Sequence, residues 1–174
     1  AGTAEAQEAL ISAVEDGSIG SSLREAAILS ATQVESPSDE FVAGLRRVMR
    51  GSAGDDALAS RAMEALGIAA GRMAESGRDA DAIVAELEGA LGGAVDPVVR
   101  RAAVLGLGNA AAERSASLLL RAAEAEEDVT VRAAAALALR AIPGAEARSA
   151  LGRLAAEDGS ASVRRAAMQD GHVA

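Results

Sequence analysis

A short motif that returns at a constant interval is the feature of this sequence that most restricts its fold. The segments VRRAAVLGL, VRAAAALAL and VRRAAMQDG begin at Val99, Val131 and Val163, so a constant 32-residue interval separates consecutive copies. The intervening segments SLLLRAA and SALGRLA begin at Ser117 and Ser149 and show the same interval. A fixed period of this length is typical of solenoids, in which one small unit stacks on the next. We therefore predict two helices in each unit, one that begins with Val-Arg and one that carries the Leu-rich run.

Capping residues and composition indicate that these units are helical. Asp96 (followed by Pro97), Asp128 and Ser160 precede the three Val-Arg segments at equivalent positions. Asp and Ser are good helix N-caps, and Pro is favoured at the first helical position. Half of the residues are hydrophobic, but Phe41 is the only aromatic residue. An Ala-rich composition favours helices over sheets, and we expect about nine helices in the whole chain.

We therefore predict an all-α fold, a right-handed α-solenoid of antiparallel helix pairs that stack into a superhelix. The prediction is a single domain over residues 1–174, with irregular helices over 1–95 and regular 32-residue repeats over 96–168. Because the sequence ends soon after a helix has begun, we expect it to be a fragment of a longer protein. Gly106, inside a predicted helix, is expected to permit close packing of neighbouring helices.

The pattern Asp-x-x-Val-Arg-x-Ala-Ala-x-x-x-Leu, which is clearest from Asp128 to Leu139, resembles HEAT repeats. In that family, an acid at the turn between helices and the Arg of the second helix often form ladders between neighbouring repeats. The residues that match this structural ladder are Asp96, Arg100, Asp128, Arg132 and Arg164. Ser160 departs from the pattern, so the resemblance implies a last rung without its acid.

A narrower resemblance concerns the helical domain of large lipid transfer proteins, the vitellogenin group. The segments ALGIAAGR from Ala65 and LGLGNAAAERSASLLLRAAE from Leu105 are similar to that domain, including Leu-Gly-Asn-Ala at Leu107–Ala110. This resemblance implies a helical arch that braces lipid-holding β-sheets, and no such strands are predicted in this chain. A lipid partner is therefore expected only in a longer protein.

Charge and residue usage exclude several functions. Acidic residues exceed basic ones by 26 to 17, which gives a formal charge of −9 and argues against nucleic-acid binding, since that depends on cationic patches. All basic residues are Arg, which fits either GC-rich coding, as in many bacteria, or selection for ion pairs. His172 is the only His and Cys is absent, so neither a zinc site nor a Ser-His-Asp triad is expected. We expect no cofactor, and no apolar stretch is long enough to span a membrane.

The sequence therefore predicts a non-catalytic scaffold or protein-interaction module whose concave helix layer binds a protein partner. The alternative is the helical arch of a lipid-binding or lipid-transport protein. Proteins that handle bilin pigments share the repeat and are a further alternative. HEAT-like iron enzymes need His-Glu motifs, which this sequence lacks.

Overall fold

The structure is a computed structural model that describes residues 2–51 and 56–168. Over these residues the fold is all-α, without a β-strand. A short 3-10 helix, Glu113–Ser115, precedes α7. The ten α-helices are α1 Ala4–Glu15, α2 Ser21–Ala31, α3 Asp39–Gly51, α4 Asp56–Glu75, α5 Asp81–Gly93, α6 Pro97–Asn109, α7 Ala116–Ala125, α8 Val129–Leu139, α9 Ala145–Glu157 and α10 Ala161–Met168.

The helices form two layers, because each odd-numbered helix packs against the even-numbered helix that follows it. The even-numbered helices also contact one another in order, from α2 to α10. The core lies between the layers, and each helix from α3 to α8 contributes to it one Leu with no exposed surface. These residues are Leu45, Leu66, Leu87, Leu107, Leu119 and Leu139. The predicted α-solenoid of stacked helix pairs is thus confirmed.

Acidic caps begin the regular helices where the sequence predicts them. The Asp96 carboxylate accepts a hydrogen bond from the Val98 amide at 2.8 Å, and Pro97 is the first residue of α6. The Asp128 carboxylate accepts from the amide of Thr130 at 2.8 Å at the start of α8. These bonds satisfy donors that have no partner inside the helix, so they fix where each helix begins.

Glycine brings the even-numbered helices into direct contact. A Cβ on Gly106 of α6 would lie 2.8 Å from the carbonyl oxygen of Met63 in α4. A Cβ on Gly108 of α6 would lie 2.8 Å from the Cβ of Ala138 in α8. Real Cβ atoms essentially never come within 3.0 Å of such neighbours, so no larger residue fits unless a helix moves. The prediction that Gly106 permits close packing is confirmed.

The motif valines occupy related but unequal positions. Val131 and Val163 have no exposed surface, as their shared place in the repeat predicts. Val99 packs against the same core but is only partly buried. The equivalence of the three positions therefore holds for the last two repeats and is incomplete in the first.

A buried glutamine joins the first helix to the connection between α2 and α3 through hydrogen bonds. Gln7 of α1 is 4% exposed. Its side-chain amide donates to the Ser36 carbonyl at 3.1 Å, and its side-chain oxygen accepts from the Ser38 amide at 2.9 Å. Gln7 thereby satisfies the backbone of the connection between α2 and α3. This polar side chain therefore points into the protein, towards the connection that it binds.

Candidate interaction surface

The Arg of each Val-Arg motif folds back onto the end of the preceding odd-numbered helix. Arg100, Arg132 and Arg164, here called the arginine row, each use Nη1 to donate to backbone carbonyl groups there. Arg100 donates to Ala94 and Val95 at 3.2 and 2.6 Å, Arg132 to Glu126 and Glu127 at 2.8 and 3.0 Å, and Arg164 to Asp158 at 2.6 Å. Because a helix C-terminus carries partial negative charge and unsatisfied carbonyl groups, a cation stabilises it there.

Two members of the arginine row also form ion pairs with the following repeat. Arg100 donates through Nε and Nη2 to one carboxylate oxygen of Glu126, at 3.0 and 2.5 Å. The Nε atom of Arg132 lies 3.5 Å from a carboxylate oxygen of Asp158. All four side chains are less than one-fifth exposed, so solvent screens these pairs less than it screens surface pairs. Each pair joins an Arg to the acid at the end of the next odd-numbered helix.

The two acids that the sequence pattern selects for this ladder accept capping hydrogen bonds at helix starts. Asp96 and Asp128 cap α6 and α8, and the acids that pair with the arginine row are Glu126 and Asp158. Hydrogen bonds from the Thr130 side chain and then its amide hold the pKa of Asp128 below its ordinary value. Ser160 occupies the position where the motif otherwise has an acid, and Asp158, at the end of α9, supplies a carboxylate to Arg132.

A sequence pattern did exist for the true partners. Glu126 and Asp158 are separated by one full repeat, and each precedes the Arg of a Val-Arg motif by the same short interval. Both are the C-cap residues of odd-numbered helices. Acids are disfavoured at helix C-termini, so an acid that recurs at this position indicates a cation nearby. The equivalent position in the first repeat is Ala94, which leaves that repeat without the carboxylate.

The opposite side of the even-numbered helices carries exposed aliphatic side chains. Consecutive even-numbered helices touch through Gly67, Gly106, Gly108 and Ala138. An aliphatic residue lies next to three of them in sequence: Ile68, Leu105 and Leu137. Because a helix turns by about 100° per residue, these neighbours point away from the odd-numbered layer. Ile68 and Leu105 are partly exposed and Leu137 is 39% exposed. Arg101 and Arg165 lie beside them and are exposed. We call the surface formed by Ile68, Arg101, Leu105, Leu137 and Arg165 the even-helix face.

Two grooves lie elsewhere in the described part of the chain. One, of about 580 Å³, lies between the α4–α5 turn and the α6–α7 connection. Its Arg114 already bonds Asp81 and Glu88, and its Arg78 already pairs with Asp39. The other groove, of about 570 Å³, separates α1 from α3. The charged groups of the first groove thus largely satisfy one another, and in the second groove Arg47 forms an ion pair with Glu15.

No cluster of His, Cys, Asp and Glu that could hold a metal ion occurs among the described residues. His172 lies outside them. Over residues 2–51 and 56–168, no helix is long and apolar enough to cross a bilayer.

Comparison with known families supports the architecture of the stacked pairs. Residues 84–169 match a family model described as HEAT repeats. The match begins within α5 and extends to the end of α10, so it covers the pairs α5–α6, α7–α8 and α9–α10. No curated protein matches the chain. The comparisons support a helical HEAT-repeat scaffold, and they give no support to the narrower resemblance to vitellogenin or to a lipid partner.

Proposed function

We propose that this chain is a non-catalytic scaffold that binds a protein partner on the even-helix face. The observation that carries the proposal is the row of Ile68, Leu105 and Leu137, which continues across α4, α6 and α8. The row lies on the side that none of the ten described helices covers. Solenoids bury only the faces between neighbouring units and use the remaining concave surface for binding. The even-numbered helices approach one another through glycine and alanine, and the layer with closer spacing lies on the inner side of a curved stack.

The arginine row supports this proposal by fixing the geometry of that layer. Arg100 and Arg132 each bridge one repeat to the next through Glu126 and Asp158. We propose that Arg100, Arg132 and Arg164 form the structural ladder of the solenoid, with Asp96 and Asp128 as the caps that set the start of each rung. A rigid layer binds with a smaller loss of conformational entropy than a flexible one.

A peptide library displayed on phage and selected against the immobilised chain would test the proposal. Enriched peptides should lose binding when Leu137 is changed to Asp, because a charge then replaces the most exposed member of the aliphatic row. Val95→Asp is the matched control, since Val95 is 93% exposed but lies in the turn between α5 and α6, outside the face. Circular dichroism of each variant would establish that the helices are retained.

The result that supports the proposal is loss of peptide binding in Leu137→Asp with binding retained in Val95→Asp. If no peptide is enriched, or if enriched peptides bind both variants as tightly as the unmodified chain, the even-helix face is not the binding surface and the proposal is wrong.

A further inference from the structure

The charges of this protein are distributed unevenly between its helices. The chain has 26 acidic residues, yet the helices α6, α8 and α10 contain five Arg residues and no Asp or Glu. Three of the five form the arginine row, which is directed towards the ends of the odd-numbered helices and the next repeat. The other two, Arg101 and Arg165, are exposed and have no hydrogen bond or ion pair with another described residue.

The two exposed arginines occupy the same place in their repeats. Arg101 and Arg165 are two 32-residue periods apart, and the intermediate position in α8 is Ala133. Packed helices are separated by about 8–10 Å, so the two guanidinium groups are attached about 16–20 Å apart across α8. Leu105 and Leu137 lie about one helical turn, roughly 6 Å, further along their helices. The even-helix face therefore presents a basic row beside an aliphatic row.

Among the described residues, no acid forms an ion pair with Arg101 or Arg165. Asp96 and Asp128 lie at the starts of α6 and α8, where each carboxylate accepts backbone hydrogen bonds as a cap. Glu64 of α4 forms an ion pair with Arg61 on the same helix. Over the described residues, the helices α6, α8 and α10 themselves thus present no acidic side chain.

We propose that the even-helix face over α6, α8 and α10 binds an acidic, aliphatic segment of a partner protein in extended conformation. This inference rests on the proposed function and specifies the chemistry of its partner. An extended chain rises about 3.3–3.6 Å per residue, so carboxylates five or six residues apart reach both Arg101 and Arg165. Aliphatic side chains between them contact Leu105 and Leu137. Arg is suited to this role because its planar guanidinium group can hold a carboxylate through two hydrogen bonds.

Nucleic acid fits the surface less well. Binding to a phosphate backbone depends on many cationic contacts, and single-strand binding also relies on aromatic stacking. The surface offers two arginines that have no partner among the described residues. The only aromatic residue of the sequence, Phe41, is buried in the core.

The peptide selection described above also tests this inference, with the unmodified chain as bait. We expect enriched peptides to contain more Asp and Glu than the starting library. Synthetic fluorescent copies should bind the double variant Arg101→Glu and Arg165→Glu about tenfold more weakly, since exposed charge pairs contribute modestly. The matched control is Arg121→Glu with Arg148→Glu, which changes the net charge equally on exposed residues of α7 and α9. The control should bind within about twofold of the unmodified chain.

The outcomes separate this inference from the proposed function. Enriched peptides without an acidic excess that bind the double variant normally, but do not bind Leu137→Asp, would show that the partner is not acidic. In that case only this inference fails. If binding is insensitive to Leu137→Asp as well, both fail. If an oligothymidine displaces the peptides and itself depends on Arg101 and Arg165, the surface recognises nucleic acid and the inference is overturned.

Discussion

The contact between α4 and α6 makes a sharp prediction about Gly67. A Cβ on Gly67 would lie 2.5 Å from the Cα of Gly106 and closer still to its carbonyl oxygen. Ordinary van der Waals contact begins at 3.4 Å, so one helix must retreat by more than 0.9 Å to accept a methyl group. The atoms in the way belong to the backbone, and no side-chain rotation can relieve the overlap. Gly67→Ala therefore forces the two helices apart.

The expected magnitude follows from two opposing effects. Replacing Gly with Ala inside a helix stabilises it by about 1 kcal/mol, whereas inserting a methyl group into a filled core costs about 1–3 kcal/mol. Because the overlap at Gly67 involves backbone, we expect a cost near the upper end. Gly67→Ala should lower the free energy of unfolding by about 1–2 kcal/mol. Gly89 of α5 has no atom within 4 Å of a built Cβ, so Gly89→Ala should raise it by about 0.5–1 kcal/mol.

Urea denaturation followed by far-ultraviolet circular dichroism would measure both changes. The chain has no Trp or Tyr, so intrinsic fluorescence gives no useful signal. The slope of each transition must be compared with that of the unmodified chain, because repeat proteins can unfold in parts. Finding Gly67→Ala as stable as Gly89→Ala would show that the helices tolerate wider spacing and would refute the argument from backbone contact.

Four further changes have defined outcomes. Arg132→Ala should lower the free energy of unfolding by about 1–3 kcal/mol, because hydrogen bonds to backbone carbonyl groups and an ion pair of low exposure are lost together. The control Arg121→Ala, at an exposed position, should change the free energy of unfolding by no more than about 0.5 kcal/mol. Equal urea midpoints for the Arg132 and Arg121 variants would contradict the proposed ladder. Gln7→Ala should lower the free energy of unfolding by about 1–3 kcal/mol, since the buried side chain is lost and the partly buried Ser36 carbonyl and Ser38 amide lose their partner. An unchanged urea midpoint would show that water replaces the side chain. Ala111 has a φ of 48° at the end of α6, a left-handed conformation that glycine adopts more easily than alanine. Ala111→Gly should therefore raise the free energy of unfolding by about 1 kcal/mol, and with it the thermal midpoint. A lower midpoint would argue against this reasoning. The capping hydrogen bonds hold the pKa of Asp128 below its ordinary value of 3.8. The ionised carboxylate therefore contributes fully to the free energy of unfolding above that value, and this contribution is lost as the pH falls through the lower pKa of the folded state. Asp128→Asn should retain the cap at neutral pH and flatten this part of the acid unfolding curve, and an acid curve identical to that of the unmodified chain would exclude the effect.

Much of the architecture was predictable because its causes are local in sequence. The 32-residue interval, the caps at Asp96 and Asp128 and the Ala-rich composition indicate helices and their phase without any tertiary information. A cap acts on amides two or three residues away, and a period in the sequence becomes a period in space when identical units stack. The all-α solenoid and the close packing at Gly106 therefore follow from neighbouring residues and from repetition.

The partners of the arginine row were decided only by the tertiary structure. The sequence places Asp96 and Asp128 near Arg100 and Arg132, but those carboxylates are engaged by the backbone amides at their own helix starts. The acids that reach the arginines lie at the ends of the next odd-numbered helices, most of a repeat further along the chain. Likewise, nothing local distinguishes buried Gln7 from the exposed acids around it. Long-range partners depend on how helices stack, because packing sets the distance between side chains that the chain itself leaves far apart.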